Sequence, residues 1–382
     1  MGSDPLDIAV VGAGPVGATV AALCAREGLA IEVFEARTKP AEDARTLALS
    51  HASRELLDSI HAWPASGTTP IDSIHISQKG GPGRTLLEAS EQGVPALGYT
   101  VSFAGLTASL AKRLGEIGIA LRYGESCEDI ALDGQAAYLR FASGREVSTR
   151  LLVLADGGAN ASRIPGIVFR EKDYEQRAVV ARVTTDRAHG RRAYERFTPQ
   201  GPVALLPVGE QFALVYTAAP SEAERLIAMR DAEFLAELQS HFGDRAGRFT
   251  SVAARASFPL KLRAINTPVA TRTAIVGNAA QALHPIAGQG LNLGLRDAAS
   301  LAAAIESTAT AEIGGATMLE NYRSSRVRDT SRGVAFTDFL ASAFSDGRRF
   351  PTWGRGLALT VLDIIPSARR AFAERMIHGA RG

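Results

Sequence analysis

The sequence of 382 residues is 46% hydrophobic and 21% charged, which is enough apolar material for one large globular unit or for two to three closely packed domains. A net charge of +2 gives no case for a nucleic-acid-binding protein. The charge is unevenly distributed, because residues 321–382 contain eleven arginines, no lysine and five acidic residues. The C-terminal part of the chain is therefore basic.

Cysteine usage and the N-terminus indicate where the protein resides. Cys24 and Cys127 are expected in a buried helix and a buried strand, and two thiols in a chain of this length indicate a reducing compartment rather than a disulfide framework. The opening MGSDPLD is acidic and leads directly into a strand, which predicts no signal or transit peptide. No run reaches the roughly 18–20 apolar residues of a membrane span. We therefore expect a cytoplasmic protein, or one held peripherally on the inner membrane.

Residues 6–37 predict a βαβ unit that binds a dinucleotide. The run LDIAVV suits a buried parallel strand, and the small residues that follow allow a helix to pack closely on a sheet. Between them, Gly12, Gly14 and Gly17 form a GxGxxG turn, where a tight turn, close approach to a pyrophosphate and helix–strand packing each require a missing side chain. Glu35 ends the next strand, where its carboxylate would accept hydrogen bonds from ribose hydroxyls. The alternative is a glycine turn with a purely structural role.

The remaining pattern predicts a second sheet inserted into this unit. Helices are expected at 50–60 and 104–117, and a β-meander at 119–154. Strands dominate from residue 164 to 266, whereas residues 315–378 are mostly helical in pattern. The predicted fold class is α/β (α+β), a Rossmann-like βαβ domain with an inserted β-sheet domain and a C-terminal helical region. The predicted division is 1–80, 97–163 and 266–310 for the dinucleotide domain, 81–96 and 164–265 for the inserted substrate domain, and 311–382 for the helical region.

Two further turns favour FAD over NAD as the dinucleotide. Asp156 in LLVLADGG and the pair Gly277–Asn278 each directly follow an apolar strand. An NAD dehydrogenase would add a second mononucleotide-binding half, which residues 38–150 do not supply. FAD is longer and buried, so an FAD protein brings remote segments back to the same sheet. One such turn would be an ordinary strand end, but three in this order indicate FAD.

These motifs resemble those of the aromatic-ring hydroxylases, the flavoprotein monooxygenases of the para-hydroxybenzoate hydroxylase fold, over residues 6–300. GNAAQALHPIAGQGLNLGLRD, YEQRAVV and ERFTPQGPVALLP are similar to the branch that acts in ubiquinone biosynthesis. Most members have Asp where this chain has Asn278, whose oxygen can still accept from a ribityl or ribose hydroxyl. The resemblance implies that FAD is bound by Gly12, Gly14, Gly17, Glu35, Arg37, Arg45, Asp156, Gly277, Asn278, Pro285, Gly288, Gly290, Leu291 and Asn292.

The resemblance also implies how the flavin and substrate are surrounded. Backbone N–H groups around Gly290, Leu291 and Asn292 would face the flavin pyrimidine at a helix N-terminus, where they stabilise the negative charge of reduced flavin. His284 and Pro285, in the loop beside the flavin, are the candidate catalytic residues, and a histidine hydrogen-bonded into the loop is the alternative role. The candidate substrate-pocket residues, which could instead be core aromatics, are Phe197 and Tyr216. The seven histidines show no metal-ligand spacing, so no metal site is predicted.

Two positions depart from the family pattern. Ala108 stands where relatives usually have Arg or Gln near the FAD phosphates, which predicts looser retention of FAD. The pair Ser162–Arg163 is offset from the usual spacing after the ADG turn, so no flavin role is assigned to Arg163.

The resemblance implies hydroxylation of a polyprenylated phenol, 2-polyprenyl-6-methoxyphenol. NADPH or NADH would bind transiently and reduce FAD, O2 would add to give a C4a-hydroperoxyflavin, and one oxygen would pass to the ring. The basic segment 356–381, with Arg369 and Arg370, would contact an anionic membrane surface, or its apolar side would pack on the protein. A quinone-biosynthesis protein assembly is a possible partner. The alternatives are a hydroxylase of a soluble aromatic compound and a non-catalytic prenyl-binding protein of the same fold.

Overall fold

The computed structural model describes residues 5–25, 28–40, 43, 45–80, 84–282 and 289–327, together with residues 369, 370, 373, 374 and 377. The strands, in chain order, are β1 Leu6–Val11, β2 Ile31–Glu35, β3 Thr46–Ser50, β4 Thr68–Ile71, β5 Ser73–Gln78, β6 Arg84–Glu88, β7 Gly98–Ser102, β8 Ala120–Tyr123, β9 Cys127–Leu132, β10 Ala137–Phe141, β11 Glu146–Leu154, β12 Phe169–Thr185, β13 Arg192–Thr198, β14 Gly201–Val208, β15 Gln211–Ala218, β16 Phe249–Val252, β17 Ala256–Ile265, β18 Val269–Ala270, β19 Thr273–Ile275 and β20 Gln281–Ala282. The α-helices are α1 Pro15–Cys24, α2 His51–Ser59, α3 Ala89–Gln92, α4 Phe103–Glu116, α5 Pro220–Ala228, α6 Asp231–Phe242, α7 Gln289–Glu306 and α8, residues 316–327.

The first sheet has eight strands and forms the dinucleotide domain. Its path runs β18-β19-β11-β1-β2-β8, and β1 pairs in parallel with both β2 and β11. Ile8 and Val10 pack against the helices on one face, while Ala9 and Val11 pack against the β9–β10 hairpin on the other. Because both faces of β1 are covered, its sequence is a continuous apolar run rather than an alternating one.

Close packing of α1 on α7 brings two distant parts of the sequence together. A side chain at Gly277 would lie 3.0 Å from Val16, and one at Gly294 would lie 2.7 Å from it. Missing side chains at both positions therefore allow Val16 of the first helix to contact the turn after β19 and the helix that follows it.

The second sheet has nine strands and forms the inserted domain. Its path runs β20-β17-β12-β15-β14-β13-β5-β6, with β16 added beside β12. Helices α5 and α6 pack on one face and enclose an apolar core, and the other face is turned towards the first domain. Strand β5 belongs to this sheet because it forms a hairpin with β6 and pairs with β13. The predicted division after residue 80 therefore separates two strands of one sheet.

A buried ion pair holds the C-terminal side of the fold. Asp297 of α7 and Arg326 of α8 are 2% and 3% exposed, and their Oδ1 and Nε atoms lie 2.7 Å apart. The other oxygen of Asp297 accepts hydrogen bonds from the backbone N–H of Gly277 and from the Gln281 amide. The carboxylate thus connects α8, α7 and the turn that carries Asn278.

The structure describes only part of the predicted C-terminal helical region. Helix α8 lies within the predicted helical region 311–382, but residues 328–368 are outside the described part of the chain. Among the described helices, none has the length and apolar composition that crossing a membrane requires.

The Asp297–Arg326 pair yields a stability prediction. Replacing Arg326 by Met leaves a buried carboxylate without its cation, so we expect the free energy of unfolding to fall by about 3–5 kcal/mol. Urea denaturation followed by circular dichroism measures this change. The matched control is Arg323→Met in the same helix, which breaks an exposed pair with Glu320 and should leave the midpoint nearly unchanged. Equal shifts for the two variants would contradict the role assigned to the buried pair.

Candidate functional site

The glycine turn between β1 and α1 combines internal packing with an open surface. Gly12 has a φ of +105°, and a Cβ there would lie 2.5 Å from the carbonyl oxygen of Ala155. A Cβ at Gly17 would lie 2.0 Å from the oxygen of Gly12. At Gly14 no described atom lies within 4 Å of the corresponding position, and this residue lines a large cavity. Gly12 and Gly17 therefore serve the protein's own packing, whereas Gly14 leaves room for a ligand at the N-terminus of α1.

Glu35 is held in an ionised state beside this turn. Its carboxylate accepts hydrogen bonds from the backbone N–H of Ala13 at 2.9 Å and from Nε of Arg37 at 2.8 Å. Burial acts to raise the pKa of Glu35, but the hydrogen bonds from Arg37 and Ala13 outweigh it and hold the pKa below its usual value. A buried, charged acceptor at the end of β2 suits the ribose hydroxyls of a dinucleotide.

Two other turns reach the same edge of the sheet, because β11 pairs in parallel with β1 and β19 pairs in parallel with β11. The carboxylate of Asp156 accepts from the backbone N–H of Gly158 and from two nitrogens of Asn160, at 2.7–2.9 Å. These bonds fix its orientation within the turn. Asn278 follows β19 and is exposed towards the cavity. The three predicted turns are thus brought together around one space.

The start of α7 forms another part of the wall. Gly290, Leu291 and Asn292 line the cavity, and the N-terminus of this 18-residue helix is directed to the same space. The side chain of Asn292 accepts from the N–H of Ser50 and from Oγ of Ser53, and it donates to the carbonyl of Ala48. Asn292 therefore joins α7 to β3 and α2. The other predicted residues of this loop, His284, Pro285 and Gly288, lie outside the described residues.

The predicted arginines occupy different environments. Arg45 lines the cavity, pairs with Asp43 at 2.6 Å and lies 5.0 Å from the centre of the Phe103 ring, with 58% of its side chain exposed. Arg37 also lines the cavity and is bound to Glu35. Contact of either arginine with FAD stays a prediction.

Arg163 and the two cysteines have structural surroundings. The guanidinium of Arg163 donates to the backbone carbonyls of Cys127 and Glu128, which anchors β9 to the turn after Asp156. Cys24 and Cys127 are both buried, as expected. Burial raises the pKa of the Cys127 thiol to about 11, so it stays protonated near neutral pH.

A cavity of about 1550 Å³ lies between these turns and the second sheet. Its wall on the sheet consists mainly of apolar side chains, with Thr217 and the charged groups of Arg182 and Glu195 among them. The principal apolar residues of this wall are Ile74, Ile76, Leu87, Ala193, Phe197, Ala204, Leu206, Ala213, Val215 and Leu260. Phe197 thus lies where the sequence predicts a pocket residue.

Tyr216 requires a correction, because it lies on the opposite face of the same sheet. Side chains alternate along β15, so Val215 and Thr217 face the cavity while Tyr216 packs in the core with α5 and α6. Its hydroxyl lies 2.7 Å from Nε2 of the buried His241. A role for Tyr216 in the substrate pocket does not follow from this position.

The described C-terminal residues cover part of the cavity. Ala373 and Ile377 are each 1% exposed and pack with Phe197 and Leu87. Arg369 pairs with Glu91 at 3.0 Å. These two described apolar residues of the segment thus contact the protein, while contact of the segment with a membrane stays a prediction.

The sequence motifs did not identify several residues that line or support this site. Asp297 ends the glycine-rich motif, and an acid between the apolar run before it and the alanines after it is a sequence signal for a buried role. Arg182 and Glu195 lie on strands whose alternation shows that they share a face with apolar residues, but not that this face encloses a cavity. Within the described ranges, no cluster of three or more potential metal ligands occurs.

The contrast between Gly14 and Gly17 gives a paired prediction. Gly14 has an ordinary φ of −64°, so Gly14→Ala should change the stability of the apoprotein by less than about 0.5 kcal/mol. Its new methyl group would occupy the ligand's space, so we expect FAD affinity to fall by at least about tenfold. Thermal unfolding and fluorescence titration with FAD measure the two effects.

The companion variant Gly17→Ala should behave differently. Its methyl group would meet a backbone oxygen, so the apoprotein should lose about 1–3 kcal/mol of stability.

Wild-type FAD affinity in Gly14→Ala would show that the diphosphate does not lie on this turn.

Comparison with known proteins agrees with this arrangement. The profile of the FAD binding domain family matches residues 5–337. Ubiquinone hydroxylase UbiL of Rhodospirillum rubrum is 34% identical over 380 residues, which cover 96% of this chain and 88% of the relative. The 3-demethoxyubiquinol 3-hydroxylase of Escherichia coli is 32% identical over 322 residues, covering 79% of this chain and 80% of the relative.

Solved structures confirm the predicted fold class. Pseudomonas aeruginosa PqsL in complex with 2-aminobenzoylacetate superposes with a TM-score of 0.79 at 20% identity, covering 93% of this chain and 100% of PqsL. The p-nitrophenol 4-monooxygenase PnpA of Pseudomonas putida gives a TM-score of 0.75 at 16% identity, with 99% of both chains covered.

The family match and the similar sequences confirm the resemblance on which the cofactor prediction depends. The open surface at Gly14, the charged acceptor at Glu35 and the three converging turns fit FAD, and NAD(P)H is the reductant typical of the family. The chain belongs to the FAD binding domain family and is an FAD-dependent aromatic-ring monooxygenase.

Proposed function

We propose that this enzyme hydroxylates a polyprenylated phenol, 2-polyprenyl-6-methoxyphenol, in ubiquinone biosynthesis. The observation that carries the proposal is the apolar wall that the second sheet gives to the cavity. Its principal residues come from six strands, whereas FAD would lie along the turns on the opposite wall, so the sheet offers far more apolar surface than a single phenol ring can cover. A small soluble substrate would leave most of this wall in contact with water. A prenyl chain would cover it and gain roughly 25 cal/mol for each Å² of apolar surface removed from water.

The similar sequences support the same class of substrate. The relative from Rhodospirillum rubrum is named a ubiquinone hydroxylase, and that from Escherichia coli a 3-demethoxyubiquinol 3-hydroxylase. The second name specifies one ring position for that protein. For this chain, the position hydroxylated is part of the proposal.

The residues of this chain contribute binding, orientation and exclusion of water. The residues that would hold the cofactor are Gly14, Glu35, Asp156, Asn278, Gly290, Leu291 and Asn292. When bound, FAD supplies the activation of O2 after its reduction by NAD(P)H. Phe197, Ala373 and Ile377 close the far side of the cavity with apolar groups. Such a wall limits the access of water to the ring and to activated oxygen.

Deletion of the gene tests the substrate directly. We expect 2-polyprenyl-6-methoxyphenol to accumulate and ubiquinone to fall under aerobic growth, because the ring lacks its next oxygen. Mass spectrometry of extracted quinones measures both compounds, and reintroduction of the wild-type gene is the control. Normal ubiquinone with no accumulated prenylphenol would contradict the proposed substrate.

A second candidate function, hydroxylation of a soluble aromatic acid, has one observation in its favour. Arg182 on β12 lines the cavity, and its Nη1 is buried without a hydrogen-bond partner among the described residues. Burial lowers the pKa of this arginine from its usual value, which reflects the cost of an unpaired charge. A carboxylate on a substrate would supply the missing partner.

Arg182→Met distinguishes these two functions. For a prenylated phenol, we expect the dissociation constant to change by less than about twofold, because the chain contacts only the stem of Arg182. For an aromatic acid that used the guanidinium, the dissociation constant would rise by at least about tenfold, since a charged hydrogen bond is lost. Quenching of flavin fluorescence measures binding, and exposed Arg187→Met is the matched control. The larger effect would favour the second candidate.

A further inference from the structure

Glu195 is a carboxylic acid placed in the apolar wall of the cavity. It lies in the middle of β13, directly opposite Ile76 of β5 and Ala204 of β14. The alternation of β13 puts Glu195 on the same face as Ala193 and Phe197. Glu195 and these four neighbours on β5, β13 and β14 all line the cavity. Tyr194 is largely buried on the other side of the strand, where it belongs to the core with α5 and α6.

The described residues provide Glu195 with no partner. None of them forms a hydrogen bond or an ion pair with its carboxyl group, and burial is the sole cause of its perturbed titration. The side chain retains intermediate exposure, and the cavity is the space that it borders. Buried carboxyl groups are normally paired or hydrogen-bonded, so an open one inside a pocket indicates a group that the substrate satisfies.

The surroundings of Glu195 bring its pKa close to neutral pH. Burial raises its pKa to about 7. From its own sheet the other charged side chain of the cavity is Arg182 on β12, three strands away along the path β13-β14-β15-β12. The C-terminal cover contributes Ala373 and Ile377, which carry no charge. The wall on the first domain carries Glu35, Arg37, Asp43, Arg45, Glu125, Asp156 and Arg163.

Two further titratable groups border the cavity but do not change charge near neutral pH. Burial raises the pKa of Cys127 to about 11 and also raises the pKa of Tyr194 above its usual value. Glu195 is therefore the described group of the cavity wall whose charge changes around pH 7.

We propose that Glu195 accepts the hydrogen bond, and then the proton, of the hydroxyl group on the aromatic ring that the enzyme hydroxylates. The inference rests on the proposed function to the extent that the substrate is a phenol. It assigns the acid–base role that the sequence motifs leave open, and it makes an ionisable ring hydroxyl a requirement for tight binding.

The proton transfer balances without a further reagent. The phenol O–H bond breaks, its proton forms an O–H bond with a carboxylate oxygen of Glu195, and the bonding electron pair stays on the phenolate oxygen. That pair increases the electron density at the ortho and para ring carbons, where oxygen is added. After hydroxylation, the ring carbon gives its hydrogen as a proton to water, and the electron pair of that C–H bond restores the aromatic ring and the negative charge on the phenol oxygen. The phenol oxygen then takes the proton back from Glu195, and the carboxylate is restored.

The test compares a phenol with its methyl ether. The probes are 2-farnesyl-6-methoxyphenol and the same compound with the hydroxyl methylated, titrated calorimetrically into the FAD-loaded enzyme without NAD(P)H. At about pH 8.5 the wild type should bind the phenol at least about tenfold more tightly than the ether, because only the phenol donates to a carboxylate. At about pH 5.5 Glu195 is protonated, so this preference should shrink several-fold.

Variants assign the effect to this residue. In the isosteric Glu195→Gln, the preference for the phenol should be smaller and equal at both pH values, and in Glu195→Ala it should be absent. Glu210→Gln, at an exposed site in the β14–β15 turn, is the matched control and should behave like the wild type. Flavin absorbance confirms that each variant is loaded with FAD.

The possible outcomes separate the inference from the proposed function. A preference for the phenol that persists unchanged in Glu195→Gln and Glu195→Ala overturns the role of Glu195 but supports a phenolic substrate. Failure of the wild type to bind either probe overturns both. A pH-dependent preference in the wild type that both Glu195 variants lack supports the role of Glu195.

Discussion

The contact between two backbone turns at the carboxyl edge of the first sheet positions the cofactor site. The oxygen of Ala155 lies where a side chain at Gly12 would begin, and the oxygen of Gly12 lies where one at Gly17 would begin. Only glycine permits both approaches, so the end of β11, the turn after β1 and the first residues of α1 form one packed unit. Gly14, in the same turn, faces open space. The same short segment thus supplies close packing on one side and open space for a ligand on the other.

Side-chain alternation in the second sheet determines the rest of the site. Each central strand places one set of residues in the core with α5 and α6 and the other set against the first domain. The second face does not close against the first domain, and the large cavity lies between them. In such a wall a charged group is costly unless a ligand satisfies it, which is why Arg182 and Glu195 carry more information than the aliphatic residues around them.

The C-terminal half of the flavin motif has a structural role as well as a binding role. Asp297 joins α8 to the turn that bears Asn278, and Asn292 joins the start of α7 to β3 and α2. Both side chains are buried, and both connect segments far apart in sequence. Residues of one motif therefore orient the walls of the cavity from behind, while the neighbouring Gly290 and Leu291 line it.

The sequence alone indicated the dinucleotide turn and the acceptor at Glu35, because both depend on local spacing around strands that are apolar on both faces. The FAD family followed from the resemblance of its motifs to those of known flavoproteins. It named Phe197 and Tyr216 on the same ground, their positions on strands of the inserted domain, and left the choice between pocket and core open for both. Only the tertiary structure decided that Tyr216 faces the core, that β5 joins the second sheet, and that Asp297 meets Arg326. The physical reason is that strand alternation gives two equivalent faces, and which of them is covered by helices depends on contacts between segments distant in sequence. The unpartnered state of Glu195 could likewise be seen only once the cavity around it was formed.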